Sequence, residues 1–436
     1  MSYFPTYQAA LDYLYRFVDP TRKPAATHDA AANNLRRMAA LLEAAGQPQA
    51  GLRCVVVAGT KGKGSTAALI ESLARAAGLR VGLFTSPHLS SYRERIQVDR
   101  CLITQAELMA QLAALCPLLD GFDPTPYGRP TTFDLGLLMA LQHFAACRVD
   151  VAVLEIGLGG RFDAVNVITP LVAAISSISY DHRAVLGASL AEIAWNKAGI
   201  IKPGVPVVTV PQAAEALPLI EAEAQRMGAP LWHATPQGLC SAHGETSAYP
   251  VVPQSALRGA VQQENARLAL GVALLLRRAG LALPNAALAE GLANVTWPAR
   301  FELVAGTPPI LIDGAHNGDS AAKLLADLRS EIAYERMILL LGTSRDKDIA
   351  AIAAALVPAA AGLVLTRSLH PRAMDLDRIA AVVSPLLNGP LVMNPDVATA
   401  LATAQGMAGP RDLIVVTGSL FVAAAAREAL GLAVAE

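Results

Sequence analysis

Residues 54–66 read CVVVAGTKGKGST, and this stretch decides the fold. The run Cys54–Ala58 is short, rich in valine and free of charge, which predicts a strand buried on both faces. A glycine-rich segment and then an Ala/Leu-rich helical stretch follow it. A strand, a glycine loop and a helix start together present backbone N–H groups and the positive end of a helix to a phosphate. We therefore predict an α/β domain that binds a nucleotide at this loop.

The loop supplies the first group of predicted site residues. Lys63 would neutralise phosphate charge, and the hydroxyl of Ser65 would reach Mg²⁺. The loop departs from the common phosphate-binding string, because Gly64 stands between the lysine and the hydroxyl residue. A glycine-rich turn without a ligand is the alternative, which the adjoining strand and helix disfavour. The predicted cofactor-binding residues are Gly59, Thr60, Lys61, Gly62, Lys63, Gly64, Ser65 and Thr66.

The composition excludes several other classes of protein. The 436 residues are 53% hydrophobic and 16% charged, too apolar for a disordered chain. Because 35 Lys+Arg are offset by 36 Asp+Glu, no broad basic face is available for nucleic acid. The best candidate for a membrane span, residues 349–366, contains Pro358 and Gly362 and divides into a helix and a strand. The sequence has no signal-peptide pattern, so we expect a cytoplasmic protein. The five cysteines form no paired pattern, so we expect them to be mostly buried. We also expect a monomer whose partners are small molecules.

Two series of short apolar runs alternate with helical stretches along the chain. This alternation predicts parallel sheets with crossover helices in two domains. We place the boundary at Thr296, with a P-loop-containing domain with a parallel sheet in residues 1–296 and a smaller Rossmann-like α/β domain in residues 297–436. The predicted strands are Cys54–Ala58, Val81–Thr85, Val151–Glu155, Leu171–Ser176 and Val205–Val210, then Ile310–Asp313, Met337–Gly342, Leu363–Thr366, Leu391–Asn394 and Leu413–Thr417.

Two other nucleotide-binding patterns fit the sequence less well. Gly62-x-Gly64-x-x-Ala67 matches a dinucleotide fingerprint, but the next predicted strand does not end in the acid that would hold the ribose. The segment Asn196–Gly199 resembles a guanine-reading motif, yet glycine replaces its aspartate. We therefore disfavour a nicotinamide or flavin enzyme and a GTPase switch.

Three polar residues are predicted to meet near the phosphates. Ser86 and Glu155 lie at or just beyond strand ends, and His182 follows another strand. Because the carboxyl ends of parallel strands share one edge, these side chains can converge there and hold Mg²⁺. Taken singly, a strand-end carboxylate is often solvated and a lone histidine is often structural.

Lys197 lies in an apolar segment, where its neutral amine could react with carbon dioxide to give a carbamate. A lysine with a packed stem and a solvated ammonium is the simpler alternative.

The combination of motifs resembles the folylpolyglutamate synthase/dihydrofolate synthase family of the Mur ligase superfamily. The similarity runs from about Val55 to about Phe421 and is specific only when the motifs are taken together. The motifs that carry it are Gly59–Thr66, Thr85–Leu89, Arg93–Ile96, Thr132–Asp134, Leu154–Asn166, Asp181–Gly187, Lys197–Gly204, Trp297–Arg300, Asp313–Asn317, Asp346–Asp348, Pro371–Ala373 and Gly418–Ser419.

The resemblance implies an ATP-dependent ligase that adds L-glutamate to dihydropteroate, to reduced folates or to both through an acyl phosphate. It implies ATP contacts from Lys63, Asn265, Arg300 and Asp313, and a role for His316 in the same motif as Asp313. It also implies two Mg²⁺ sites served by Ser65, Ser86, Glu155 and His182, with Lys197 as a carbamate beside the second metal. Lys63, Lys197, Arg300 and His316 are the residues expected to act in catalysis.

Departures from the family pattern leave the identity of the acceptor substrate open. Residues 19–34 lack the usual Gly/Leu-containing pterin-binding segment, the expected His-Gln pair is Val261-Gln262, and Gly318 replaces a proline. A Mur-type ligase for another carboxylate acceptor is one alternative, although only about 50 residues precede the loop, too few for the separate domain of those enzymes. An ATP-driven binding or switch protein is the other, and it would hydrolyse ATP without forming an amide.

Overall fold

The computed structural model describes residues 3–18 and 28–434. These residues form two compact units, and each has its own sheet. Unit 1 comprises residues up to 88, 93–256 and 264–295, and unit 2 comprises 89–92, 257–263 and the chain from 296 onward. No helix in the described ranges combines the length and the apolar character needed to cross a membrane.

The sheet of unit 1 has ten strands, in the order β10-β9-β8-β7-β6-β1-β5-β2-β3-β4. Their bounds are β1 (Cys54–Ala58), β2 (Val81–Phe84), β3 (Ile96–Val98), β4 (Cys101–Leu102), β5 (Val151–Glu155), β6 (Val172–Ile175), β7 (Val207–Thr209), β8 (Leu231–Thr235), β9 (Gly238–Ser241) and β10 (Thr246–Ser247). The six strands from β8 to β2 in this order are parallel, as predicted. Antiparallel pairs extend the sheet at both edges, which the sequence analysis did not predict.

Ten α-helices of the described residues accompany this sheet along the chain. Their bounds are α1 (Tyr7–Tyr15), α2 (His28–Ala44), α3 (Lys63–Ala76), α4 (Gln105–Asp120), α5 (Thr132–Ala146), α6 (Arg183–Leu186), α7 (Leu190–Ala198), α8 (Leu217–Arg226), α9 (Ala260–Arg278) and α10 (Asn285–Asn294). All five residues of β1 are buried, because helices cover both faces of the central strands. The phosphate loop therefore lies at the carboxyl end of a strand in the middle of the sheet.

The sheet of unit 2 has six strands, in the order β11-β12-β16-β13-β14-β15, and only β11 is antiparallel to its neighbour among these described strands. The strands are β11 (Glu302–Val304), β12 (Ile310–Ile312), β13 (Met337–Leu341), β14 (Gly362–Leu365), β15 (Leu391–Met393) and β16 (Leu413–Thr417). The helices are α11 (Gly318–Glu331), α12 (Ile349–Leu356), α13 (Leu376–Val383), α14 (Val397–Met407) and α15 (Leu420–Ala429). Residues 349–366 thus form a helix, a short 3₁₀ turn and a strand, as predicted.

Alternate residues of each strand in unit 2 face opposite cores. Leu339 and Leu341 of β13 pack with α11, α12 and α13, whereas Ile338 and Leu340 pack with α14 and α15. This period of two is the packing of a sheet that is covered on both faces. The helices that follow the neighbouring strands β13 and β16 lie on opposite faces, so the sheet has a topological switch point between these two strands.

The expectation that the cysteines are buried holds for some of them only. Cys54 and Cys116 are buried and Cys147 and Cys240 are partly buried, and all five cysteines, which lie within the described ranges, are free thiols. Cys101 is exposed, because it lies on the short edge strand β4 and not in the centre of the sheet. The prediction of mostly buried cysteines is therefore wrong for Cys101.

Candidate active site

Two glycines of the phosphate loop have positive φ angles and close neighbours. Gly59 has φ +141°, and a Cβ atom there would lie 1.9 Å from the hydroxyl oxygen of Ser176. Gly62 caps α3 at φ +83°, and a Cβ atom there would lie 2.2 Å from Oδ1 of Asn265. Glycine is required at both positions, because the backbone conformation and the available space exclude a side chain.

The segment after β6 holds the loop in place through hydrogen bonds. The Ser176 hydroxyl donates to the carbonyl of Lys61 at 2.6 Å, and the N–H of Thr60 donates to the carbonyl of Ser177 at 2.9 Å. On the other side, the Thr66 hydroxyl donates to Oδ1 of Asn265 at 3.3 Å. Asn265, a predicted nucleotide contact, therefore lies against the loop. These bonds hold the loop in a conformation that can receive an anion at the start of α3.

Lys197 is buried beside the same loop. Its Nζ donates to the carbonyl of Gly59 at 2.6 Å, and the residue is 3% exposed. Burial, and then the positive charge of Lys63, hold the pKa of Lys197 well below its usual range, while Asp181 acts in the opposite direction. A lysine whose pKa is lowered in this way supplies the neutral amine on which the carbamate expectation depends.

The predicted metal ligands lie at or beyond the carboxyl ends of the strands. The backbone N–H of Ser86 donates to the Glu155 carboxylate at 3.0 Å, which brings these two residues together. Ser65 is buried in the first turn of α3. His182 lies seven residues beyond the end of β6, on a segment where Asp181 is 3.6 Å from Nζ of Lys61, and its side chain is about half exposed. No group of three or more His, Cys, Asp or Glu residues suited to a metal occurs in the described part of the chain.

A cavity of about 1290 Å³ opens within unit 1 at this end of the sheet. Ser86 lines it, so the cavity begins next to the carboxylate at the end of β5. Its wall combines aromatic rings with a few charged groups. The aromatic and imidazole rings are Phe17, His28, Phe133, Phe162 and Trp195, and the charged side chains are Arg37, Arg95, Asp134, Asp163 and Glu192. Such a wall suits an organic molecule with flat rings and a carboxylate.

Asp163 lines the cavity, although the sequence analysis assigned it no role. Its carboxylate accepts hydrogen bonds from the N–H groups of Leu158 at 2.9 Å and Val165 at 3.0 Å. Burial raises the pKa of Asp163 to about 6, because these bonds only partly compensate for the lost hydration. The signal in the sequence was its place in the glycine-rich stretch that follows Glu155.

Helix α2 contributes part of the cavity wall. Arg37 is buried and donates its Nε to the Asp134 carboxylate at 2.8 Å, and that carboxylate also caps α5 through Thr131. The ring of His28 stacks on Trp195, with 4.7 Å between the ring centroids. Residues 19–27 of the atypical segment 19–34 lie outside the described residues, and the remainder begins α2.

Arg95 reaches the cavity from the segment that precedes β3. Its Nε donates to Nδ1 of His88 at 2.8 Å, and its carbonyl accepts from the N–H of Thr85 at 3.2 Å. Burial, with the nearby Arg95 charge, lowers the pKa of His88 to about 3. The imidazole is therefore neutral at physiological pH, and it accepts a hydrogen bond from the arginine.

In unit 2, Asp313 organises a second group of predicted residues. Its carboxylate accepts from the N–H groups of Phe301 and Ala315, both at 2.8 Å. Burial raises the pKa of Asp313, while the neighbouring Arg300 charge lowers it. The predicted residues Arg300 and Asp313 are thus brought together within this unit.

The same motif fixes the tautomer of His316, which directly follows Ala315. Its Nδ1 is 2.8 Å from the carbonyl oxygen of Gly314. Because a carbonyl oxygen only accepts, this contact places a proton of His316 on Nδ1. Asn317 then caps α11 through the N–H of Ser320. The motif therefore presents a histidine in one tautomer at the start of a helix.

The carboxyl edge of the unit 2 sheet holds two further polar groups that the sequence analysis did not single out. Thr343 and Thr366 follow β13 and β14, are 3% and 0% exposed, and their hydroxyls have no hydrogen-bond partner among the described residues. Thr343 lies next to the switch point between β13 and β16, where ligands of open α/β sheets bind. A single threonine after a strand is so common that its sequence position alone does not identify it as a site residue.

Comparisons with known proteins agree with this geometry. Residues 299–420 match the family model for the Mur ligase, glutamate ligase domain. The chain is 35% identical to the dihydrofolate synthase/folylpolyglutamate synthase of Bacillus subtilis, over 89% of this chain and 92% of the relative. The Mycobacterium tuberculosis folylpolyglutamate synthase complexed with ADP is similar in structure, with a TM-score of 0.86, 31% identity and 98% of both chains covered. Escherichia coli FolC in complex with DHPP and ADP gives a TM-score of 0.80 at 27% identity, again with 98% of both chains covered.

Proposed function

The chain belongs to the folylpolyglutamate synthase/dihydrofolate synthase family and is an ATP-dependent, amide-forming ligase, and from this premise we propose how its residues join L-glutamate to dihydropteroate and to reduced folates. The observation that carries the proposal is the ring-lined cavity, which begins at Ser86, beside the carboxylate that ends β5. A phosphate-binding loop and a cavity for a flat carboxylic acid at one sheet edge suit phosphorylation of that acid.

The phosphate loop would hold ATP. Its backbone N–H groups and the start of α3 favour the phosphate charge, and Lys63 adds a positive charge at that end. Asn265, which already contacts Thr66, lies where it can reach the nucleotide. Arg300 and Asp313, which lie together in unit 2, are the further residues to which we assign ATP contacts.

The residues near the loop also fit magnesium. Mg²⁺ prefers oxygen ligands and usually keeps several waters, so one carboxylate, a hydroxyl and substrate phosphates suffice without a cluster of protein ligands. The ligands we assign to two magnesium sites are Ser65, Ser86, Glu155 and His182. When bound, the ion offsets the charge that develops on the transferred phosphoryl group.

Lys197 would carry a carbamate. Its buried amine has a lowered pKa and lies 2.6 Å from the loop carbonyl of Gly59. Attack of the neutral amine on carbon dioxide forms an N–C bond and releases a proton, which converts a buried amine into an anionic oxygen ligand. Such a group beside the loop would complete the oxygen ligands for the second metal.

The acceptor would lie in the cavity with its rings against Phe133 and Trp195 and its pterin hydrogen-bonded to Asp163. An acceptor carboxylate oxygen attacks the γ-phosphorus of ATP, which gives an acyl phosphate and ADP. The glutamate amine then attacks the acyl carbon, an amide bond forms, and phosphate leaves. Exclusion of water protects the acyl phosphate from hydrolysis.

Glutamate would bind at the carboxyl edge of unit 2. The match of residues 299–420 to a glutamate ligase domain supports this placement. The buried hydroxyls of Thr343 and Thr366, which have no hydrogen-bond partner in the part of the chain that the structure describes, support it as well. His316, whose Nδ1 is held by the carbonyl of Gly314, would take the proton from the attacking amine at Nε2.

The test is ADP formation with ATP, Mg²⁺ and L-glutamate plus dihydropteroate, tetrahydrofolate or a muramyl precursor in turn, with the product mass measured. We expect both pterin acceptors to gain a glutamyl residue. A glutamylated muramyl product alone would support the Mur-type alternative. ATP hydrolysis without any amide product would support the switch alternative and contradict the proposed function.

A further inference from the structure

We propose that Arg161 is a positioning residue for the acceptor: its guanidinium fixes the indole ring of Trp195, against which the flat rings of the acceptor lie in the cavity of unit 1. The inference rests on the proposed function, which places Trp195 in contact with the acceptor. Trp195 lines the cavity, whereas Arg161 is not among the described residues that line it. Arg161 therefore acts through the tryptophan and not by contact with the substrate.

Arg161 contacts both the backbone and the ring of Trp195. Its Nε and Nη2 donate to the carbonyl oxygen of Trp195 at 3.3 and 3.0 Å. Its Cζ lies 4.1 Å from the centroid of the Trp195 ring, within the range of a cation–π interaction. Because the guanidinium is planar and rigid, these contacts together restrict the backbone of Trp195 and the rotation of its side chain.

Other groups hold Arg161 itself in place. Its Nη1 lies 3.1 Å from the buried carboxylate of Glu223 on α8. The backbone N–H of Arg161 donates to the carbonyl of Asn196 at 2.7 Å, and its carbonyl accepts from the side-chain amide of Asn166 at 3.0 Å. The ion pair with Glu223 offsets the guanidinium charge, so this arginine is suited to fixing a neighbouring ring and not to attracting an anionic substrate.

Trp195 belongs to a group of three rings in the cavity wall. The ring of His28 stacks on the indole with 4.7 Å between the centroids, and the ring of Phe162 lies 6.0 Å from it. All three residues line the cavity, and they come from α2, α7 and the loop after β5. An indole that was free to rotate would change its contacts with both rings and the surface that it offers to the acceptor.

The loop after β5 connects these rings to the proposed pterin contact. Arg161, Phe162 and Asp163 are consecutive, and the N–H of Asp163 donates to the carbonyl of Gly160 at 3.0 Å. Because Arg161 ties this loop to α7 through Trp195, it sets the position of the indole relative to the Asp163 carboxylate. An acceptor whose rings lie on the indole while its pterin binds Asp163 depends on that position.

The test compares Arg161→Met, which keeps a long side chain without the guanidinium, with Arg161→Lys, which keeps the charge. Arg278→Met is the matched control, because Arg278 has the same two kinds of contact outside the cavity lining. Its Cζ lies 4.5 Å from the ring centroid of Trp232, and its Nη2 lies 2.7 Å from the Glu245 carboxylate. Steady-state assays would give kcat and the KM values for dihydropteroate, tetrahydrofolate, ATP and glutamate.

We expect Arg161→Met to raise both acceptor KM values about 5- to 20-fold, the range for loss of a cation–π contact together with its hydrogen bonds. KM for ATP should stay within about twofold, because Trp195 is not a nucleotide contact. Arg161→Lys should raise the acceptor KM values only about 2- to 5-fold, since an ammonium keeps the cation–π interaction but not the planar fork. Arg278→Met should change each KM by less than about twofold. Unchanged acceptor KM values in Arg161→Met, or equal rises in every KM, would overturn the inference.

A double-variant cycle tests the route through the tryptophan, and it needs only Arg161→Lys if Arg161→Met does not fold. Trp195→Ala should itself raise the acceptor KM values, and adding Arg161→Lys to it should change them little further, because the ring that Arg161 fixes is already gone. Additive rises from the two substitutions would show that Arg161 acts by another route and would overturn the inference. A wild-type enzyme that glutamylates neither pterin would instead overturn the proposed function.

Discussion

Lys197 and Lys202 are two lysines with lowered pKa values whose roles we expect to differ, because their hydrogen-bond partners differ. Each donates to a backbone carbonyl at 2.6 Å, and burial lowers the pKa of both. Lys197 contacts Gly59 of the phosphate loop, whereas Lys202 contacts Asn166. We expect Lys197→Met to lower kcat by about 100-fold or more in ligase assays, because it removes the group proposed to complete the charge-stabilising ligands at the reacting centre.

Lys202→Met is the control for this prediction, since it removes a similar lysine from the same segment. It should keep kcat within about threefold of the wild type, because its partner lies outside the loop. In ¹³C NMR with labelled bicarbonate, the wild type and Lys202→Met should show a carbamate resonance that Lys197→Met lacks. Equal losses of kcat in both variants would contradict a specific role for Lys197.

Asp163 should make stability depend on pH. Its pKa of about 6 in the folded chain exceeds the ordinary value of about 4 in an unfolded one, so between these values the folded state binds more protons. The folded state therefore loses stability as pH rises from about 4 to 6, by up to about 3 kcal/mol from this group. Asp163→Asn cannot titrate, and the Tm of the wild type minus that of the variant should fall across this range. A constant difference in Tm between about pH 4 and 7 would rule the effect out.

At the scale of elements, the turn from β1 into α3 depends on its backbone. Gly62 and Gly78 have similar left-handed conformations, at φ +83° and +80°, but only Gly62 of the two has a close neighbour, Asn265. Alanine at either position should cost about 1–2 kcal/mol of stability for the left-handed backbone. Gly62→Ala must also displace Asn265, so we expect calorimetry to show ADP affinity at least about tenfold weaker than in Gly78→Ala. Equal ADP affinities would show that the loop tolerates the displacement.

The central elements were predictable because local pattern and burial agree in them. Val151–Glu155 and Leu413–Thr417 are strands with the predicted bounds, since each is a short apolar run buried on both faces. The strands β9 and β10 were not predicted, because short strands at or next to the sheet edge have little hydrophobic pattern. β9 is fixed by pairing with β8 and β10 by pairing with β9, and a single-sequence pattern does not contain these interactions.

In the site, too, local features were predictable and tertiary contacts were not. The strand, the glycine turn and the helix start of the phosphate loop were predictable, because they depend on residues that are adjacent in the chain. The Arg37–Asp134 pair was not, because its two residues lie 97 positions apart and meet only when α2 packs near α5. The His88–Arg95 bond spans only seven positions, but the cavity that Arg95 lines is formed only in the folded chain.

Over the whole molecule, the near-zero net charge of -1 is compatible with an anionic substrate because positive charge is concentrated locally. Lys61 and Lys63 both act on the pKa of Lys197, which places three lysines around the phosphate loop. Each unit also presents polar residues at the carboxyl edge of its own parallel sheet. Both units therefore have the same arrangement, with polar residues at the strand ends beside an apolar core.

The exposure of Cys101 on β4 gives the protein a native point of attachment. The other four cysteines are buried or partly buried, and β4 is the strand at one edge of the sheet, four positions from β1. A maleimide–biotin reagent would react at Cys101 first, because thiol modification follows accessibility. The enzyme could then be tethered to a biosensor chip in one orientation, with no engineered tag and with the nucleotide loop away from the linker.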